Sequence, residues 1–267
     1  MKLFLSYLFF IFSISSYTQT KVLSWNIENF GKSKSEADIS FIANTIKNYD
    51  IVAIQEVVAS YEGAQAVAKL AEDLNNNGNQ WDYVVSDPTS SSAYKTERYA
   101  FIWKKNSIKR IGNAWLEKKY NLEIDREPFL CTFQSSETTF TLVTFHAITK
   151  SKQPETEIKY FKYLPEEYSN LNLIFAGDFN CPQSHSVFNP LKKMGYEPIL
   201  VNQKTSLKKA CKGDTCLASE FDNMFYNANK IKANKAGVIS FYENFESLEG
   251  ARMISDHIPI WVEFDFR

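Results

Sequence analysis

The chain has 267 residues, 44% hydrophobic and 15% aromatic, which suits one compact enzyme-sized unit with a large core and excludes disordered and fibrous classes. Its 30 Lys and Arg against 31 Asp and Glu leave a net charge of -1, which excludes a protein that holds polyanions by bulk positive charge. Any contact with nucleic acid must be local.

Residues 1–19 begin with Lys2, run apolar from Leu3 to Ile14, and end in small and polar residues, the pattern of a secretory signal peptide. The run is shorter than the roughly 20 apolar residues of a membrane span, and no later segment approaches that length. The domain is therefore expected at 20–267, exported to a periplasm or secreted, with no membrane span in the mature form, and monomeric. Along it, apolar runs predict strands at 21–25 and 51–55 with a helix at 36–47 between them, whose Ile39, Ile42, Ala43 and Ile46 share one face. A helix at 64–75 follows, then strands at 83–86 and 99–103 separated by a Ser-rich loop. Strands at 129–133 and 140–145, a helix at 155–168, and strands at 172–176, 222–226 and 258–264 complete the series. So many strands, unevenly interrupted by helices, do not suit a simple parallel sheet. They suit an α/β architecture with one sheet packed on another and helices outside.

Export makes disulfides available to the four cysteines. Cys211 and Cys216, with Gly213 and Asp214 in the intervening turn, are the best local pair, and Cys181 with Cys216 is the alternative. Cys131, in an apolar run, reads as a buried thiol. The spacing lacks the paired ligands of a zinc site.

The chemistry lies where apolar strands stop. Asn26 follows one strand, and Glu56 ends the next; Asp178 and Asn180 follow a wholly apolar run, spaced to face one way. Asp256 and His257 stand together before the last strand. Such hard oxygen donors suit magnesium or calcium better than zinc. Each residue alone has a bland reading as a turn or a solvated strand end. Of three histidines, however, His146 and His257 both stand at strand ends beside acidic or amide groups, whereas His185 sits in a polar loop and is set aside.

In order, Asn26, Glu56, Asp178 with Asn180 in GDFN, and Ser255-Asp256-His257 resemble the motifs of the endonuclease/exonuclease/phosphatase superfamily, from Val22 to Phe264. The resemblance implies a four-layer α/β sandwich of two mixed sheets flanked by helices, divalent-metal dependence and phosphoester hydrolysis. Three further stretches resemble its deoxyribonuclease I branch. YVVSDPTSSSAYKTERYAFIWK resembles the loop and following strand whose tyrosine enters the DNA minor groove and whose glutamate orients a catalytic histidine, which implies Tyr94 and Glu97 here. DREPFLCTF implies Arg126 as a phosphate contact, and FDNMFY implies Asp222 as the partner of His257. The branch commonly carries arginines where this chain has Glu28 and Val58; Lys32, Lys34, Lys95 and Arg98 either replace these DNA contacts or are ordinary solvated charges.

The expected activity is metal-dependent hydrolysis of DNA phosphodiesters with little sequence specificity. Asn26, Glu56 and Asp256 would hold magnesium, with calcium or manganese as alternatives, and Asp178 would draw in the cation or bind a second ion. Asn180 would donate to the phosphate, and the pairs His146–Glu97 and His257–Asp222 would supply one base and one acid in either order. The alternative is a phosphatase or phosphodiesterase acting on small or lipid phosphoesters. A non-catalytic binding module ranks lowest, because every proposed catalytic position holds a competent residue.

Overall fold

The computed structural model describes residues 19–76, 78–91, 95–213 and 215–267. The signal-peptide expectation, except for Gln19, and the expected substrate residue Tyr94 lie outside them. Among the described residues no helix is long and apolar enough to cross a membrane.

The first half contains β1 (Thr20–Phe30), α1 (Glu36–Ile46), β2 (Ile51–Val58), α2 (Tyr61–Asn76), β3 (Trp81–Val85), β4 (Glu97–Lys104), β5 (Ile108–Leu116), β6 (Phe129–Ser135) and β7 (Thr138–His146). The second contains α3 (Glu155–Ile158), α4 (Leu164–Glu167), β8 (Leu173–Asp178), α5 (Asn189–Lys193), β9 (Tyr196–Pro198), β10 (Leu207–Lys212), β11 (Thr215–Leu217), β12 (Asp222–Asn227), β13 (Ile231–Val238), α6 (Leu248–Ile254) and β14 (Ile260–Phe266). They form two mixed six-stranded sheets, ordered β13-β14-β1-β2-β4-β3 and β5-β6-β7-β8-β12-β9, and a separate hairpin β10-β11.

The central strands are apolar on both faces because both faces are covered. Val22, Ile51 and Ala53 of the first sheet pack on Phe133, Leu142 and Ile174 of the second, forming the inner core. Their neighbours in sequence, Leu23, Val52 and Ile54, turn outward onto Ile39 and Ile42 of α1 and Leu70 of α2. On the far side, Val143 and Phe175 turn outward onto Ile158, Phe161 and Leu164. The four-layer α/β sandwich follows from this period-two alternation. Helix α1 starts sharply: the Ser35 hydroxyl accepts from the Asp38 N–H at 3.2 Å, while the Asp38 carboxylate accepts from the Ser35 N–H at 2.8 Å.

Two expectations need correction. The helix at 155–168 is not continuous: α3, a single 3-10 turn at Phe161–Tyr163 and α4 divide it, and Pro165 near the start of α4 has no N–H with which to extend a longer helix. Strands β5, β9, β10, β11 and β13 were not anticipated. β5, β9 and β13 are sheet edges and the other two form the hairpin; exposed Lys, Asn or Gly residues mask any alternation in β5, β10 and β13, and β9 and β11 are only three residues long.

Candidate active site

Several strand termini meet at one end of the two sheets. β1 and β2 are parallel, with Asn26 paired to Gln55 and Glu56 next in line. β7 and β8 are also parallel, and their last residues, His146 and Asp178, are register partners. β12 begins at Asp222 opposite Asp178, and β4 begins at Glu97 opposite Val58. His257 precedes β14. Apolar runs hold each strand in the core and release a polar group where the run stops. The result is a cleft of about 760 Å³ lined by Glu56, Glu97, His146, Asp178, Asn180, Asp256 and His257, among others. Asn26 and Asp222 are buried, each bonded to a lining side chain.

The backbone is bent to aim these groups. β2 bulges between Ile54 and Val57, and Glu56 adopts φ +59°; Asn180, after β8, adopts φ +49°. Non-glycine residues rarely occupy that region, and it recurs where surrounding structure dictates side-chain direction.

Asp178 is the hub. Its Oδ2 lies 3.6 Å from His146 Nε2 and 3.5 Å from His257 Nε2. The same oxygen accepts from Asn26 Nδ2 at 3.1 Å, and Oδ1 accepts from the Asn180 N–H at 2.8 Å. Behind each ring stands a second carboxylate. His146 Nδ1 is 3.0 and 3.1 Å from the two Glu97 oxygens, and His257 Nδ1 is 2.7 Å from Asp222 Oδ2. A carboxylate on Nδ1 places the proton there and leaves Nε2 for chemistry.

Burial is the largest influence on both rings and disfavours their charged form, but the carboxylates outweigh it. Glu97 and Asp178 raise the His146 pKa, and Asp222, Asp178 and Asp256 hold His257 well above its usual range. For Asp178, burial alone would raise the pKa; His257, His146 and the two amide donors reverse that and lower it. Metal-free protein therefore binds imidazole protons that the unfolded chain releases above about pH 6.5. That stabilisation is complete below pH 6.5 and disappears as pH rises through the folded-state values. The melting temperature in EDTA should accordingly fall as pH is raised from 6.5 into the alkaline range. A flat or rising curve in a thermal-shift series would contradict it.

The fit of a cation rests on one atom. Asn26 Nδ2 serves Glu56 Oε1 at 3.0 Å and Asp178, but Asn26 Oδ1 is buried without a hydrogen-bond partner. An unpaired buried carbonyl costs about 1–3 kcal/mol. Beside the Glu56 carboxylate, that oxygen is suited to coordinate a hard divalent ion. Asp178, Asp222 and His257 form a second buried cluster with ligand atoms within 4.8 Å of one another. There Asp222 and His257 are already bonded to each other at 2.7 Å.

Other expected residues occupy different surroundings. Arg126 lines the cleft but is anchored inward: Nε donates to His146 O at 2.9 Å, Nη1 to Glu97 at 3.2 Å, and Nη2 to Ala147 O. Its side chain braces the His146–Glu97 pair from behind. Arg98 does not line the cleft; its guanidinium donates to Ala59 O at 2.9 Å and Ser86 O at 2.7 Å. Asn180 Nδ2 donates to Ala147 O at 3.1 Å. Asp256 is held by Arg252, with Oδ2 3.4 Å from Nη2, and its Oδ1 lies 3.9 Å from His257 Nε2. Lys34 is buried, and its Nζ donates to Met253 O at 2.8 Å. Cys211 and Cys216 are disulfide-bonded, while Cys131 and Cys181 are free and buried, with thiols pushed up by burial to about 12 and about 11.

Two positioning residues receive no role from sequence, although Ser255 is read there as part of the Ser255-Asp256-His257 motif. Ser255 is fully buried; its hydroxyl donates to Asn26 O at 2.6 Å and accepts from the N–H groups of His257 at 3.0 Å and Glu28 at 3.2 Å. It ties β1 to the His257 segment, and its place before Asp256-His257 was the available signal. Thr205 Oγ1 accepts from the Asp222 N–H at 2.9 Å and the Phe221 N–H at 3.1 Å. Nothing in the sequence around Thr205 singles it out.

The sequence matches the Endonuclease/Exonuclease/phosphatase family over residues 23–257. It is 31% identical over 259 residues to deoxyribonuclease-1 of Canis lupus familiaris, covering 91% of this chain and 90% of that one. It is 26% identical over 266 residues to a deoxyribonuclease of Thioalkalivibrio sp., covering 92% of this chain and 71% of the relative. An endonuclease/exonuclease/phosphatase family protein from Bacteroides thetaiotaomicron superposes with a TM-score of 0.68 at 20% identity, covering 94% of this chain and 98% of the other. With two histidine–carboxylate pairs converging on one buried aspartate between two six-stranded sheets, the chain belongs to the endonuclease/exonuclease/phosphatase family, in its deoxyribonuclease I-like branch.

Proposed function

We propose that the chain is an exported, divalent-metal-dependent endonuclease that hydrolyses DNA phosphodiesters with little sequence specificity. One observation carries the reading: His146 and His257, each backed by its own carboxylate, point Nε2 at the same aspartate, beside the unpaired Asn26 carbonyl and Glu56. The deoxyribonuclease relatives support DNA as substrate.

Asn26 and Glu56 would hold the cation, with Asp256 at the cleft edge. Bound there, it would neutralise the phosphate and, by its charge, lower the imidazole pKa values enough to free one ring for base work. One histidine takes a proton from the attacking water at Nε2, and the other returns a proton to the leaving oxygen. Glu97 and Asp222 keep each ring in the tautomer that permits this. Asp178 balances the charge between the rings and holds the Asn180 backbone, whose side chain stands on the cleft wall. Residues 1–19 would direct export, removal of this leader would leave a soluble monomer, and the disulfide would suit an oxidising compartment.

The test is nicking of supercoiled plasmid by the purified mature chain. Magnesium-dependent nicking abolished by EDTA is the expected outcome. Intact plasmid alongside hydrolysis of a small or lipid phosphoester would transfer the assignment to a phosphatase, with Glu28 and Val58 marking the altered substrate.

A further inference from the structure

Five lysines and arginines line the cleft, and three of them are committed. Lys95 pairs with Asp125 at 3.1 Å, Arg126 with Glu97 at 3.2 Å, and Arg252 with Asp256 at 3.4 Å. Lys150 and Lys209 are exposed and have no side-chain partner among the described residues. Of these two, Lys209 stands on the β10–β11 hairpin, whose base is bridged to the His257 segment.

Lys209 belongs to the β10–β11 hairpin. Residues 204–217 hold Lys204, Lys208, Lys209 and Lys212 against a single acid, Asp214, in a chain whose overall charge is -1. Lys208 is a brace: its Nζ donates to Thr215 O at 2.9 Å and to Thr215 Oγ1 at 2.8 Å across the two strands. The Cys211–Cys216 disulfide closes the far end, where Lys212 is exposed and likewise without a side-chain partner among the described residues.

The near end is fixed to the catalytic segment itself. The Leu207 N–H donates to Asp256 O at 2.6 Å, Ser206 forms a β-bridge with His257, and the Ile258 N–H donates to Thr205 O at 2.8 Å. Arg252 Nη1 donates to Leu207 O at 3.0 Å. A lysine on this stalk therefore keeps a set distance from His257, whereas a lysine on a free loop would pay in ordering entropy for each contact.

We infer that the disulfide-closed hairpin Leu207–Leu217 is a docking arm for duplex DNA, on which Lys209 at the cleft wall and Lys212 at the tip neutralise backbone phosphates flanking the scissile bond. It rests on the deoxyribonuclease reading above and names the surface that gives that site its substrate. The arm reads charge and not sequence, because ammonium groups contact phosphates without distinguishing bases.

The experiment is plasmid nicking by the mature chain in magnesium across a salt series, with a small p-nitrophenyl phosphodiester assayed in parallel. Lys209→Gln with Lys212→Gln should raise the plasmid KM about tenfold at moderate salt and flatten the log–log salt dependence by about 2, one phosphate per lysine. Lys209→Arg with Lys212→Arg should retain both wild-type values. Cys211→Ser with Cys216→Ser keeps every charge but frees the tip, and should raise KM about threefold at the wild-type slope. If the wild type nicks plasmid and the glutamine pair matches it in KM and slope, the docking arm is overturned and the nuclease reading stands. If the wild type cleaves only the small ester, the nuclease reading falls and the arm falls with it. A serine pair with wild-type KM overturns the role of the disulfide.

Discussion

Replacing His257 by Ala should lower plasmid nicking by about 10³-fold in kcat, or about 4 kcal/mol of barrier, at the upper middle of what a positioned acid or base contributes. The ring is buried, its Nδ1 is fixed by Asp222 and its Nε2 meets Asp178, so water cannot take over its position. His146→Ala should cost a similar factor, since Glu97 and Arg126 hold that ring as firmly. The two variants separate on a substrate with a p-nitrophenolate leaving group, which departs without a proton. The variant that has lost the acid recovers most of its rate there, and the variant that has lost the base does not. Equal recovery of both, or of neither, would sink the division into one acid and one base. Asp222→Asn preserves the volume behind His257 but removes the charge that orients and protonates it, and should cost about 10²-fold.

Gly177→Ala should destabilise the fold by about 4 kcal/mol. Gly177 adopts φ +145°, and a Cβ there would stand 2.0 Å from Phe145 O, a backbone atom of the paired strand that has no room to withdraw. The melting temperature should drop by roughly 8–16 °C for a chain of this size. Phe145 and Gly177 immediately precede His146 and Asp178, so residual folded protein measured well below its melting point should also nick more slowly. An unchanged melting temperature in calorimetry would mean that the two strands separate more easily than their register implies.

The strand-end residues were legible in the sequence because a buried strand announces itself as an apolar run, and the first polar residue after it has few places to go. His146 and Asp178 obey this rule, whereas Asn26 and Glu56 follow apolar runs but lie inside β1 and β2, which continue to Phe30 and Val58. Arg126 does not yield to it: its phosphate contact is implied only by the family resemblance, and only the fold shows three acceptors around its guanidinium. Lys34 and Arg98 illustrate the same blindness, since a long cationic side chain can turn back onto backbone carbonyls that lie far away in sequence. Edge strands stayed hidden for the opposite reason, that a half-exposed strand is under little pressure to alternate.

The two sheets contribute unequal and complementary parts of the site: Asn26, Glu56 and Glu97 come from one, His146, Asp178 and Asp222 from the other, and the closing His257 precedes a strand of the first. Activity is thus a property of the seam and of neither half. Each histidine–carboxylate pair spans that seam, Glu97 to His146 and His257 to Asp222, so parting the sheets would break both pairs together.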